Sequence, residues 1–372
     1  MNTRTKWLLI SLSVLVLATV TAVVLKQRTN SALPPARPQL ATIRIGITPY
    51  QDTALPVVAE RLGWYRDAGL RVEFVPLSWG DVMLALSSKS IDAAIYTINA
   101  FQAPYASSVK GSTKPLFFAP IYVFKGTALM IHSDSGMNIV GNTTKLSAAE
   151  RDARVASVVR QLRGKRIAVT KGTEYEQVAL AALSKAGLDP ERDVTIVHAS
   201  VEDALAAFLS GDVDAFGAGL TERIQATKRG GVELLVAADV GPPSIDGVVT
   251  TEQFANAHAK ELDAFLRIWF QTISFMERDL QANSRYVTDY LKGKASTVYS
   301  PEEYAIAWTF NVYPKTPTEA AALFNNPQGP YYWRSIWDYN NKFLIDQKQI
   351  STPVPTSAYV GEQTLRRLAA SP

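Results

Sequence analysis

The sequence contains no cysteine. That absence excludes a disulfide framework, a thiolate metal site, a cysteine nucleophile and the lipidated cysteine that holds many exported bacterial proteins at a membrane. Only three histidines are present, His132, His198 and His258, and no two of them have metal-ligand spacing. The strings G-x-S-x-G and H-E-x-x-H are missing, and with them a nucleophile elbow and a zinc-protease helix. Neither G-x-G-x-x-G nor G-x-x-x-x-G-K-[ST] occurs, so no cofactor and no nucleotide hydrolysis are expected of this chain. Excess charge is also lacking outside one end. Residues 1–41 hold five basic residues (Arg4, Lys6, Lys26, Arg28, Arg37) and no acid, which leaves 33 basic against 34 acidic residues in the remainder. The net charge of +4 therefore describes the N-terminal stretch, and a nucleic-acid partner is not expected.

What is present begins with Trp7–Leu25, 19 uncharged and mostly apolar residues, close to the ~20 needed to cross a bilayer as a helix. The run reads as an uncleaved anchor or a long signal peptide. It exceeds the usual ~7–15-residue secretory apolar region, Lys26 and Arg28 follow it directly, and no Ala-x-Ala site is present. Either reading exports the rest of the chain, and the anchor would hold it in the cytoplasmic membrane. Gln27–Ala41, with Pro34, Pro35 and Pro38, favours an extended spacer.

From Thr42 onward, short β-rich runs alternate with helical patterns, which indicates βαβ units and parallel sheet. Strands are expected at Ile43–Ile47, Arg71–Pro76 and Ile91–Tyr96, with helices at Ala54–Arg66, Gly80–Ser88 and Asn99–Ser108. Leu116–Phe124 and Ala128–His132 then follow each other without a helix, as a crossing segment would. A second set has strands at Arg166–Thr170, Val194–His198 and Ala215–Gly217 and helices at Val155–Leu162, Glu174–Lys185, Val201–Ser210 and Thr221–Arg229. Asp246–Thr251 offers a strand returning to the first set, and helices are expected within Ala257–Leu291, Pro301–Val312 and Pro330–Gln347. Two βα sets joined by two crossings predict a cleft between lobes, where ligands commonly bind.

Four pieces in this order carry a family resemblance: IRIGITPYQDTALPVVAERLGWYRDAGLRVEFV (Ile43–Val75), ALSSKSIDAAI (Ala85–Ile95), LRGKRIAVTKGTEYEQVALAALSKAGLDPERDVTIVH (Leu162–His198) and ALAAFLSGDVDAFGAG (Ala204–Gly219). The chain resembles the type II periplasmic binding proteins of the sulfonate, nitrate and thiamine-precursor group of ABC importers. The helical C-terminal third is only loosely similar, and the polar stretch Gly141–Arg160 is longer than in relatives, as a surface excursion would be. The resemblance implies an α/β, two-lobed Venus-flytrap fold with a helical C-terminal region. On it, residues 42–128 and the return from 248 to 372 form lobe 1, 129–247 form lobe 2, and 1–41 are anchor and linker. A fungal pyrimidine synthase shares this fold but depends on a cysteine-rich stretch, which this chain lacks, so no enzyme activity is expected.

Candidate ligand contacts follow from strand ends. Pro49, Tyr50, Gln51 and Asp52 leave the first strand at the carboxyl edge of its sheet, with Asp52 or Thr53 also suited to cap the next helix. Trp79 stands at the lip of the cleft, where it stacks on a ligand or packs. Thr97 and Asn99 end the third strand. In the second set, Thr170, Lys171 and Gly172 lead into Thr173-Glu174-Tyr175-Glu176, a capping-box pattern whose free amides suit a sulfonate, nitrate or carboxylate oxygen. Thr221 and Glu222 follow the DVDAFGAG strand, and Asp246 precedes the returning one. If either acid lines the cleft, an amine-bearing ligand is favoured, because a buried carboxylate requires a partner. Tyr50, Trp79, Tyr96 and Tyr175 suit a ring or an alkyl chain.

The resemblance thus implies capture of a small polar ligand, taurine-like sulfonates foremost, and delivery to ABC permease and ATPase subunits. The alternatives are a thiamine pyrimidine precursor as ligand, or a lobe pair that reports its ligand to a membrane signalling partner.

Overall fold

The computed structural model describes residues 40–109, 113–143, 145–294 and 299–370. The expected apolar anchor at 7–25 lies outside them. Among the described residues no helix is long and apolar enough to cross a membrane.

Two sheets organise these residues. The first contains β1 (Ala41–Ile47), β2 (Leu70–Pro76), β3 (Ala93–Thr97), β4 (Pro115–Phe124), β10 (Ser244–Thr251) and β11 (Asn311–Val312) in the order β11-β4-β10-β3-β1-β2. The second contains β5 (Ala128–His132), β6 (Arg166–Val169), β7 (Thr195–His198), β8 (Ala215–Ala218) and β9 (Gly231–Val236) in the order β7-β6-β8-β5-β9. Within each, the βα units give parallel pairs, β1 with β2 and β3, and β6 with β7 and β8. The chain crosses from β4 to β5 through Lys125, Gly126 and Thr127, and returns between β9 and β10.

Each crossing strand enters its new sheet antiparallel, β5 between β8 and β9, and β10 between β3 and β4. β10 has partners on both edges, and Ile245 to Thr251 are all buried, which its near-continuous apolar and threonine sequence permits. Its register on β4 shifts between Asp246 and Gly247. A Cβ at Gly247 would meet the Phe117 ring and stand 2.5 Å from the Ala119 carbonyl oxygen, so only glycine fits this bulge.

Helix α1 (Pro56–Arg61) ends before Gly63, whose φ of 78° belongs to the left-handed region, and the continuous helix expected to Arg66 is broken there. α2 (Val82–Ser87) and α3 (Ile98–Gln102) follow β2 and β3. In the second set, α4 (Ala148–Val159) occupies much of the expected surface excursion. A Ser147–Glu150 capping box opens it, and Val155 and Val159 join the core of the second sheet. α5 (Glu174–Ala186), α6 (Val201–Ser210) and α7 (Leu220–Thr227) complete this set. The expected long helix from Ala257 breaks at His258 and Asp279; its main piece, α8 (Ala259–Arg278), buries Leu262, Phe265, Leu266, Trp269, Ile273 and Met276 at helical spacing. α9 (Trp333–Asp346) and α10 (Gly361–Ala370) extend the core of the first sheet through Ile336, Trp337, Leu365 and Leu368.

Candidate ligand-binding site between the two sheets

The two parallel sets direct strand ends and helix starts towards each other, and a narrow cavity lies where they meet. Tyr50, Gln51 and Asp52 reach it after β1, Trp79 after β2, and Thr97 from the end of β3. Because β10 runs antiparallel to β3 and β4, its first residues also sit at this edge, with Asp246 paired to Thr97 on one side and Tyr122 on the other. The second set supplies Glu174 and Tyr175 from the start of α5, and Gly219, Thr221 and Glu222 from the start of α7.

Six residues expected at the site, Tyr50, Gln51, Trp79, Thr97, Thr221 and Asp246, are therefore brought together. Trp79 is buried and not at a lip; its ring centroid lies 5.9 Å from that of Tyr50 and 4.6 Å from that of Tyr96. Thr97 Oγ1 accepts from the Ala100 amide at 3.3 Å and stands 3.5 Å from Glu174 Oε2. Thr221 does not cap α7: it donates to Gln51 Oε1 at 3.1 Å and lies 2.6 Å from the Tyr299 hydroxyl. Asp52 and Thr53 do not cap α1 either. Asp52 accepts the Thr53 amide at 2.8 Å, and Thr53 Oγ1 donates to the Thr48 carbonyl at 2.9 Å, fixing the loop.

The other four lie elsewhere. Asn99 faces an adjoining cavity, where it donates to Gln177 at 3.0 Å and accepts from Ser244 at 3.1 Å. Thr170, Gly172 and Thr173 line a wider cavity that opens to solvent. The expected capping box there does not form. Thr173 accepts from the Tyr175 amide, two residues on, and Glu176 turns back to the Gly172 amide at 2.8 Å. Gly172 has a φ of 72°, which points that amide at the carboxylate. Glu176 also bonds His198 Nε2 and Gln349 Nε2, each at 2.7 Å. The amide expected to receive an anion is occupied by the protein's own acid.

Four carboxylates line the central cavity, Asp52, Glu174, Glu222 and Asp246, all buried. Burial penalises their charged forms and raises all four pKa values. It lifts Glu174 to about 7, helped by the charge of Asp52, and Glu222 to about 7, helped by Glu202 and Asp52. Asp246 is pushed well above its ordinary value by burial and by Asp52 and Glu174, against a hydrogen bond from Tyr122. No lysine, arginine or histidine is among the described residues lining this cavity. Arg223, next to Glu222, directs its guanidinium to the Gly126 carbonyl at 2.5 Å, to Glu233 and over the Phe310 ring.

Asp52 was legible at the carboxyl edge of the first strand and Glu174 only as a helix-start residue, while Tyr122, inside β4, and Tyr299, far along the chain, carry no local signal of a site.

Residues 36–291 match the sequence profile of the NMT1-like family, most of the chain. The chain belongs to the NMT1-like family. Among curated relatives, it is 25% identical over 263 residues to a putative aliphatic sulfonates-binding protein of Bacillus subtilis, covering 68% of this chain and 70% of that one. It is 28% identical over 212 residues to the nitrate import ATP-binding protein NrtC of Synechococcus elongatus, covering 55% of this chain but only 30% of that protein. Among solved structures, the alkanesulfonate-binding protein SsuA from Xanthomonas axonopodis pv. citri, bound to MOPS, superposes with a TM-score of 0.65 at 19% identity, over 86% of this chain and 98% of that one. The α/β two-sheet fold of this NMT1-like protein is that of the periplasmic binding proteins.

Proposed function

We propose that this chain is the extracytoplasmic solute-binding component of an ABC importer, and that it closes two lobes on a small polar organic ligand and presents the closed form to permease and ATPase subunits. The lobes part where the strands change sheet, so residues 42–127 with those from Ser244 onward form one lobe and 128–243 the other; the apolar run at 7–25 holds them at the membrane. The observation that supports this most is the position of the central cavity. Its walls come from both sheets, which are joined by only two strand crossings, so the walls can part while each sheet keeps its own core. The curated relatives named for sulfonate binding and nitrate import support the transport role.

A taurine-like or other sulfonate ligand has the relatives' names in its favour and the four carboxylates of the cavity against it. Neither the thiamine-precursor ligand nor the sensor role has a specific observation in its favour. No catalytic role is proposed.

The absence of native cysteine makes a direct test available. Spin labels at Arg66→Cys and Ser184→Cys, both exposed, report the separation of the lobes in the full chain. A bound solute should shorten and narrow the distance distribution. Conversion of a solute to product with no change in distance would overturn the proposal.

A further inference from the structure

We propose that the ligand is an organic cation bearing N–H groups, such as a protonated amine, amidine or guanidine, that donates to Glu222 and Asp246 and lays its apolar part against Trp79. This inference rests on the solute-binding reading and names the class of solute.

Two carboxylate oxygens are in want of a donor. Glu222 Oε2 and Asp246 Oδ2 are buried without a hydrogen-bond partner, in side chains of residues only 2% exposed. Both residues line the cavity between the sheets, and Asp52 and Glu174 line it with them. A buried carboxylate left unpaired is costly, and a pair formed in low dielectric is strong, so the site is incomplete without positive charge. An anion entering this cavity would meet four acids and no basic side chain among the described lining residues.

At the turn before α5, the Gly172 amide, a place where an anion could otherwise bind, is taken by Glu176 at 2.8 Å.

The type of cation follows from the acceptors. A carboxylate oxygen only accepts, so an N–H donor satisfies it where a quaternary ammonium does not. Among the described residues, no three acids or histidines are grouped closely enough to hold a metal ion, which favours an organic cation with its charge and donors spread over several atoms. Trp79, flanked by Tyr50 and Tyr96, gives it an aromatic wall.

The test is isothermal titration of the full chain with benzylamine, benzamidine, agmatine and putrescine, with tetramethylammonium as the cation lacking N–H, and with ethanesulfonate and nitrate as anions. At least one N–H cation should bind, and Glu222→Gln and Asp246→Asn should each weaken it tenfold or more. Thermal melting of the two variants at pH 8 checks their folding, and melting at or above the wild-type temperature keeps a loss of binding interpretable. Binding of ethanesulfonate or nitrate without any cation would overturn the cation inference and leave the solute-binding reading standing. Tetramethylammonium binding as tightly as the amines would overturn the N–H assignment. If no compound of either sign bound, both readings would fall.

Discussion

Thr221 Oγ1 donates to Gln51 Oε1 across 3.1 Å, and this hydrogen bond joins the first turn of a helix on one sheet to a loop on the other. Tyr299 strengthens the link by donating to the same Gln51 oxygen at 3.1 Å while lying 2.6 Å from Thr221. All three groups are buried.

Thr221→Val removes the donor and leaves the shape. Losing one net hydrogen bond of about 1 kcal/mol should weaken ligand binding roughly fivefold by shifting the population towards the open form. The spin-label distance distribution of the ligand-free variant should broaden to longer values. An unchanged distribution with unchanged affinity would show that the contact does not govern closure.

The acids of the cavity give the ligand-free protein a defined response to pH. Glu174 and Glu222 have folded-state values of about 7, above the value near 4.5 expected in the unfolded chain. The folded state therefore binds more protons between these limits, and its stability is full below about 4.5 and falls as pH rises through 7. The titratable groups facing them are Asp52, Asp246, Glu202, Tyr50, Tyr175 and Tyr299, and the acidic ones add to the effect in the same direction. Each group contributes at most about 1.4 kcal/mol per pH unit, so melting should fall by roughly 5 °C or more between pH 5.5 and 8. Glu222→Gln should flatten this slope. Melting that rises over the same range would contradict the burial of these acids.

Much of this arrangement was legible in the sequence. Ala41–Ile47, Val201–Ser210 and the crossing pair Pro115–Phe124 and Ala128–His132 announce themselves through local pattern and turn residues. Strand β9 was not foreseen, because Gly231–Val236 interrupts its apolar run with Glu233 and gains its role only by pairing with β5. The site was read less well than the fold. Thr170, Gly172 and Thr173 follow the same strand-to-helix pattern as Gly219 to Thr221, yet the first group faces a separate cavity. Local sequence places a residue at a sheet edge, but which edge meets which across the cleft is decided by how two lobes pack.

That division between cavities is itself testable. Lys171 lines the wider cavity near Gly172 and is exposed. Lys171→Ala should change ligand affinity by less than twofold, while Trp79→Ala in the central cavity should cost tenfold or more. The reverse pattern in titration would move the binding site to the wider cavity beside Gly172.

The bulge in β10 has no room for a side chain. Gly247→Ala would press a methyl group on the Phe117 ring and the Ala119 carbonyl, so a loss of about 1–3 kcal/mol is expected in chemical denaturation. Since Asp246 is the adjacent residue, ligand affinity should fall as well. A variant with wild-type stability would show that the returning strand tolerates a different register.

The charge of the natural ligand is the point on which the account turns. Native mass spectrometry of the full chain, isolated gently from the cells that make it, would weigh any small molecule retained in the cleft, and fragmentation would identify it. One equivalent of an amine, amidine or guanidine is the expected result. One equivalent of a sulfonate, nitrate or other anion in its place would contradict the acid-lined site described here.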